Sequence, residues 1–125
     1  MKKNIIASSK FPVSGPYSAA VEVNGIIFIS GQLPIDPATG EIINDIKTAT
    51  RQVLTNIQII LKEAGMDMSN VVKTTIFLKN IADFSVVNEI YASFFPKEPP
   101  ARSTIEASAL PKGVLLEIEA VAIRK

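Results

Sequence analysis

Two carboxylates near the end of the chain are the first residues whose type and spacing could do chemistry. Glu117 and Glu119 alternate with apolar residues at the period of a β-strand, so both side chains project from one largely apolar face. A carboxylate in that setting can act as a general base or orient a water molecule. It can equally form an interface ion pair with Lys or Arg, which is the commoner reason for a buried charge. The spacing leaves both interpretations open.

Arg102 is the next candidate, because it follows Pro99–Ala101, whose restricted backbone fixes the position from which the guanidinium projects. A planar guanidinium can bind a carboxylate through two parallel hydrogen bonds. That carboxylate could be Glu119, which would make the pair structural, or it could belong to a small anionic ligand. Ser103 and Thr104 add hydroxyl and backbone N–H groups beside the arginine, which gives a modest anion-binding cluster.

Tyr17, Ser30, Gly31 and Asn88 are weaker candidates, because each also has an ordinary structural explanation. Tyr17 lies in a predicted turn, where its phenol could bind a ligand or close a corner of the fold. Gly31, after Ser30, permits close approach to the backbone, although ending a strand also explains a glycine. Asn88 lies beside the apolar stripe of a predicted helix, and such an asparagine usually faces solvent.

The composition excludes several kinds of chemistry. The chain of 125 residues has no cysteine and no histidine, which removes catalytic triads, thiolate nucleophiles and the commonest metal ligands. The glycines form neither a phosphate-binding loop nor a dinucleotide fingerprint, so no cofactor or metal is expected. Thirteen basic and twelve acidic residues give a formal charge of +1, which makes a nucleic-acid partner unexpected.

The first half of the chain predicts a hairpin and a helix that would position these residues. Two strand-like runs, 19–23 and 26–29, flank the turn residues Asn24-Gly25. Apolar residues recur at helical spacing from Ile46, with Asn44 or Asp45 as N-cap and Gly65 as the stop.

The second half predicts a strand, a helix and two more strands. Val71–Leu78 is rich in β-branched residues. Asp83 is expected to cap a second helix, which ends before Pro96. Strands are predicted over 102–108 and 114–123, joined as a final hairpin, and a short strand over 4–7 is possible at the start.

These elements predict one domain over residues 1–125, an α+β fold with a mixed sheet and both helices on one of its faces. The last strand is apolar on both faces, so other subunits are expected to cover the second sheet face. No segment has the length of a membrane span or the core of a signal peptide, so a cytoplasmic protein without a membrane partner is expected.

Five segments, in order along almost the whole chain, resemble the Rid family of reactive intermediate deaminases, of the RidA type, also called YjgF. They are Gly15-Pro16-Tyr17-Ser18, Ile29–Pro34 with Asp36–Gly40, Val86–Tyr91, Pro100-Ala101-Arg102-Ser103-Thr104, and Leu110–Gly113 through Glu117–Ala122. The resemblance implies a chorismate-mutase-like α+β subunit and a homotrimer with a central barrel and clefts between subunits.

The resemblance also implies an activity: the hydrolysis of reactive enamines and imines to 2-keto acids and ammonia without a cofactor. The substrates would be 2-aminoacrylate, 2-aminocrotonate and their 2-imino acid tautomers. By the same resemblance, Arg102 with the Thr104 backbone N–H would bind the substrate carboxylate, and Glu119 would orient or activate water. Tyr17, Ser30, Gly31, Asn88 and Ser103 would line the same cleft. Many RidA-type members carry Cys at the position of Thr104.

Three other functions remain open at this point. A non-catalytic sensor of 2-keto acids would use the same cleft and the same Arg102, and only the effect of a Glu119→Gln change on turnover separates it from an enzyme. An RNA-directed role is disfavoured by the near-neutral charge and by the 6% of aromatic residues. The sequence says nothing for or against a chaperone-like role.

Overall fold

The order of the secondary-structure elements agrees with the sequence prediction. A computed structural model describes residues 2–125 and contains six strands and two α-helices. The short first strand is also present. The elements are β1 (Asn4–Ile6), β2 (Ala20–Val23), β3 (Ile26–Gln32), α1 (Ile46–Glu63), β4 (Val71–Leu78), α2 (Phe84–Phe94), β5 (Ala101–Glu106) and β6 (Leu116–Ile123).

The strands form one mixed sheet in the order β1-β2-β3-β6-β4-β5. Asn24 and Gly25 both have positive φ, which confirms the predicted tight turn between β2 and β3. The predicted final hairpin is wrong: β5 pairs in parallel with β4 at the sheet edge, and β6 runs antiparallel between β3 and β4. Burial explains the difference, because every second residue of β6 is buried, whereas none of β5 is. The strand with the more complete apolar face therefore takes the central position.

The caps of the first helix confirm the sequence prediction, and the cap of the second corrects it. Asp45 accepts a hydrogen bond from the backbone N–H of Thr48 at 3.0 Å, and α1 is followed by Gly65 with φ of 75°. Asp83 makes no side-chain cap to α2. Asn80 instead caps a preceding 3₁₀ turn over Ile81–Asp83, and that turn leads directly into α2. The helical segment therefore begins with the 3₁₀ turn at Ile81, three residues before Phe84, the first residue of α2.

The two sheet faces differ sharply in burial. Both helices pack on one face, where the alternate strand residues Ile27, Ile76 and Ile118 are fully buried. The other face is open and exposes large apolar residues, with Phe28 50%, Ile105 49% and Ile123 45% accessible. Such a patch is typical of an interaction surface, so the trimer and its barrel stay predictions that this face supports. Neither helix within residues 2–125 is long and apolar enough to cross a membrane.

Glu22 of β2 and Arg124 form the ion pair that ties the end of the chain to the sheet, with two N–O distances of 2.8 and 2.9 Å. The Arg124 hydrogen bond lowers the pKa of Glu22. Because this pKa is lower in the folded than in the unfolded chain, the pair stabilises the fold above the ordinary pKa of glutamate and ceases to do so as pH falls.

We therefore expect Glu22→Gln to lower the free energy of unfolding at neutral pH by less than about 1 kcal/mol, as is usual for exposed pairs. The variant should lose less further stability than wild type on acidification to about pH 3. Thermal unfolding along a pH series tests this, with Glu41→Gln in an exposed loop as control. Parallel pH curves for wild type and Glu22→Gln would contradict the prediction.

Candidate active site

The open sheet face ends in a cavity of about 640 Å³. Its floor is formed by β3 and β6, and its walls by residues 10–17, by the loop after β3 and by Pro111-Lys112. Four of the predicted site residues line it, together with Glu117: Tyr17, Ser30, Gly31 and Glu119. Asn88, Arg102, Ser103 and Thr104 do not line this cavity among the described residues.

A β-bulge in β3 brings three of these residues together. Ile29 pairs with Ala120 and Gln32 with Ile118, so Ser30 and Gly31 both lie opposite the single residue Glu119. The strand therefore continues past Ser30-Gly31, where the sequence had predicted its end. At this bulge the backbone of Gly31 lies against the carboxyl group of Glu117, two residues before Glu119 on β6. The sequence showed the glycine but suggested that it ends the strand, and the sequence carried no information on the register of β3 against β6.

Hydrogen bonds hold Ser18 and Ala19, which follow the wall segment 10–17, against the β3 bulge. The Ser30 hydroxyl donates to the Ser18 carbonyl at 2.6 Å, and the Ser30 backbone N–H donates to the Ala19 carbonyl at 2.9 Å. Ser30 thus positions the turn that carries Tyr17, whose side chain is 56% exposed. Tyr17 itself is one of the residues that line the cavity.

Asn56 of α1 is a cavity residue that sequence reasoning missed. It is buried, and its side-chain amide donates to the backbone carbonyls of Leu33 at 3.2 Å and Ile35 at 3.0 Å. These bonds fix the loop after β3, which forms a wall of the cavity. The only sequence signal is a polar residue inside the buried face of a helix.

We expect Asn56→Ala to lower the free energy of unfolding by about 1–3 kcal/mol, because two part-buried carbonyls lose their donor. Urea unfolding at fixed protein concentration measures the change. Gln58→Ala on the exposed side of the same helix is the matched control and should change stability by less than about 0.5 kcal/mol. Equal stabilities of the two variants would show that the loop is not held by Asn56.

Arg102 lies in a second cluster, on the helix-covered side of the sheet edge. Its guanidinium carbon is 5.5 Å from the centre of the Phe84 ring and 4.9 Å from that of Tyr91. The Tyr91 hydroxyl is hydrogen-bonded to the Thr74 hydroxyl at 2.7 Å, and burial raises the pKa of the Tyr91 phenol. Asn88 is half-buried and lies between the two aromatic residues on the same face of α2. Arg102 forms no ion pair within residues 2–125.

The alternation of β5 separates the two hydroxyls expected beside Arg102. Thr104 pairs with Ile76, so it shares the helix-covered side with Arg102. Its hydroxyl oxygen is buried and has no hydrogen-bond partner in the described chain. Ser103 pairs with Thr75 and faces the open side, where Lys73 donates to its hydroxyl at 3.2 Å. Because successive side chains of a strand point to opposite faces, Thr104 lies on the same side of the sheet as the Arg102 guanidinium and Ser103 does not.

Arg102 and Glu119 cannot meet within one chain. Thr75 of β4 pairs with Glu119, and its neighbour Thr74 pairs with Arg102, so the two side chains lie on opposite faces of the sheet. The expectation that both Glu117 and Glu119 are buried also needs correction, because Glu119 is exposed and Glu117 is half-buried. Among residues 2–125, no helix or second sheet covers the face that carries them.

The arrangement offers two half-sites with complementary chemistry. The Arg102 cluster, defined as Arg102 with Phe84, Asn88, Tyr91 and Thr104, presents a fixed guanidinium to an anion. The cavity presents the carboxylates of Asp36, Glu117 and Glu119 and the phenol of Tyr17, which can handle protons and water. Among residues 2–125, no group of three or more carboxylates could hold a metal ion.

Comparison with known proteins agrees with this architecture. The family model described as Endoribonuclease L-PSP matches residues 7–124. A 2-iminobutanoate/2-iminopropanoate deaminase of Bos taurus is 48% identical over 124 residues, which covers 98% of this chain and 90% of that protein.

Two solved structures have the same fold. A Rid family protein of unknown function from Yersinia pestis is 51% identical, with a TM-score of 0.95 over 98% of this chain and 99% of that chain. Escherichia coli TdcF with bound serine is 38% identical, with a TM-score of 0.93 over 98% of this chain and 99% of that chain. The chain therefore belongs to the endoribonuclease L-PSP family, which includes the Rid and RutC proteins.

Proposed function

We propose that this protein hydrolyses reactive 2-enamino and 2-imino acids to 2-keto acids and ammonia. The substrates would be 2-aminoacrylate, 2-aminocrotonate and their imine tautomers, and no cofactor would be needed. The name of the Bos taurus relative, a 2-iminobutanoate/2-iminopropanoate deaminase, supports this reaction. The serine bound to the Escherichia coli relative supports an amino-acid-like ligand with a carboxylate.

The observation that carries the proposal is the state of Arg102. Its guanidinium is held against two aromatic rings and forms no ion pair within the described chain. A structural pair with Glu119 in the same chain is excluded by their positions on opposite sheet faces. The arginine is therefore preorganised for an anion supplied from outside the chain, and the carboxylate of a 2-imino acid fits that requirement.

The proposed site is completed by a second copy of the chain. One copy would contribute Arg102, with Asn88 and the backbone N–H of Thr104, to hold the carboxylate. Its neighbour would contribute the cavity, where Glu119 orients water toward the electrophilic carbon and Tyr17, Ser30 and Gly31 line the cleft. The exposed apolar face around Phe28 supports such an assembly, and a homotrimer with three such clefts is our proposal for it.

A coupled assay tests the function. Threonine dehydratase releases 2-aminocrotonate into solution, and formation of 2-ketobutyrate and ammonia is followed with and without the protein. We expect an acceleration over spontaneous hydrolysis that is proportional to the protein concentration. No acceleration, with 2-ketobutyrate still bound through Arg102, would replace the enzyme by a 2-keto acid sensor.

A further inference from the structure

Lys112 stands out in the cavity wall because its backbone has a conformation that lysine rarely adopts. Its φ is 58° and its ψ is 15°, which is the left-handed region, and Gly113 follows with φ of 66°. Glycine reaches this region without steric cost, whereas the Cβ of a lysine is crowded there. The fold alone would therefore favour glycine at position 112, and the lysine side chain needs a separate explanation.

A short 3₁₀ turn over Pro111–Gly113 fixes this backbone. The Gly113 backbone N–H donates to the Leu110 carbonyl at 3.0 Å, and the ring of Pro111 restricts its own φ. The Lys112 side chain is exposed and belongs to the lining of the cavity. A flexible ammonium is thus attached to a fixed point of the cavity wall.

No carboxylate of the described chain neutralises this ammonium. Lys112 forms no ion pair within residues 2–125. The other lysine that lines the cavity, Lys10, lies 4.0 Å from a carboxyl oxygen of Glu63. Because the Lys112 ammonium has three hydrogen-bond donors and a full charge, it can bind an anion that comes from solution.

The rest of the cavity is unfavourable for an anion. Asp36, Glu117 and Glu119 line it with three carboxylates, against the two ammonium groups of Lys10 and Lys112. Burial and the charge of Glu119 raise the pKa of Glu117, so negative charge is already costly there. Without Lys112, a substrate carboxylate would approach a wall that mostly repels it.

We propose that Lys112 captures the anionic substrate from the exposed wall of the cavity, an inference that rests on the deaminase function proposed above. Its ammonium attracts the carboxylate of the 2-imino acid and offsets the repulsion by the cavity carboxylates during approach. Arg102 of a second copy would then hold the carboxylate in its final position. Lys112 therefore acts on binding, and the chemical step is left to the other residues of the site.

Three variants of Lys112 separate the effect of its charge from that of its backbone. Lys112→Gly and Lys112→Gln both remove the ammonium, and only Lys112→Gly also relieves the left-handed backbone. We expect both variants to raise the dissociation constant of 2-ketobutyrate by about two- to fivefold, the usual effect of one exposed charge pair. Isothermal titration calorimetry at low ionic strength measures it. Lys112→Arg keeps the charge and should bind as wild type does.

The coupled assay and a salt series test the same role. For imine hydrolysis, KM should rise by the same factor in Lys112→Gly and Lys112→Gln, with kcat unchanged. An increase in NaCl from about 0.05 to about 0.5 M should weaken 2-ketobutyrate binding more in wild type than in Lys112→Gln, since salt screens exposed charges. Lys47→Gln on the exposed side of α1 is the control for loss of a surface lysine and should change neither constant.

Thermal unfolding distinguishes capture from a structural role. Lys112→Gly should raise the midpoint of unfolding by about 2–5 °C while it weakens binding, because glycine adopts this backbone without crowding. Weaker binding by Lys112→Gly alone, with wild-type affinity in Lys112→Gln, would assign the effect to the backbone and overturn the proposal.

The outcomes for Lys112 and for the deaminase function are separable. An active wild type with unchanged affinity and KM in both charge-removing variants would overturn the role of Lys112 and leave the deaminase function standing. An inactive wild type would overturn the deaminase function and, with it, the capture of an imine substrate by Lys112.

Discussion

Replacing Arg102 with alanine is expected to weaken 2-ketobutyrate binding by about 100-fold or more. Two charge-assisted hydrogen bonds are lost, each contributing roughly 1.5–3 kcal/mol, and every 1.4 kcal/mol is a factor of about ten. Imine hydrolysis should fall at least as far, because an unanchored substrate no longer holds its carbon against the water. Isothermal titration calorimetry and the coupled assay measure the two effects.

The Arg102→Lys variant tests whether positive charge alone is enough for binding or whether the guanidinium group is needed. Lysine keeps the positive charge but not the planar fork or the stacking on Phe84 and Tyr91. We expect it to recover less than about a tenth of wild-type affinity if bidentate geometry is what matters. Arg51→Ala on α1 is the control for loss of an exposed arginine. Full binding by Arg102→Ala would show that the carboxylate is held elsewhere.

Glu119→Gln is expected to lower the rate constant of imine hydrolysis by about 10²–10⁴-fold while leaving 2-ketobutyrate binding nearly intact. The amide preserves shape but cannot take a proton from water. The two half-sites thus predict opposite signatures, with loss of binding at Arg102 and loss of turnover at Glu119.

The comparison needs an assembly control, because Glu119 lies on the open sheet face. Size-exclusion chromatography should show the same oligomeric state for Glu119→Gln and wild type. Unchanged turnover by a correctly assembled Glu119→Gln would remove the carboxylate from the mechanism and leave the sensor interpretation for the cleft.

Local patterns predicted the elements well, because their causes are local. The Asp45 cap, the Gly65 stop and the Asn24-Gly25 turn each depend on a few neighbouring residues, and all are present. The central position of β6 depends instead on how completely its apolar face is buried compared with that of β5. That is a property of the whole sheet, so the predicted hairpin of β5 with β6 was wrong.

For the site as well, the residue types were predicted and their placement in the fold was not. Arg102 and Glu119 stood out by residue type, but their placement on opposite faces depends on the register of β4 against two different strands. Phe84 and Tyr91 could not be recognised from the sequence as partners of Arg102, because nothing in a helical pattern shows that a guanidinium from a later strand stacks on them. Asn56 was missed since its acceptors lie more than twenty residues away.

The central position of β6 has a consequence for synthesis on the ribosome. β3 and β4 each pair with β6, so both keep an unpaired edge until residues 116–123 have emerged. Non-local pairing of this kind is slow, and the β1-β2-β3 and β4-β5 parts of the sheet cannot join until β6 is available. The last strand to arrive also carries Glu117 and Glu119. A nascent or truncated chain without β6 therefore has neither a complete sheet nor the two carboxylates of the candidate site, which forms only when the two parts of the sheet join.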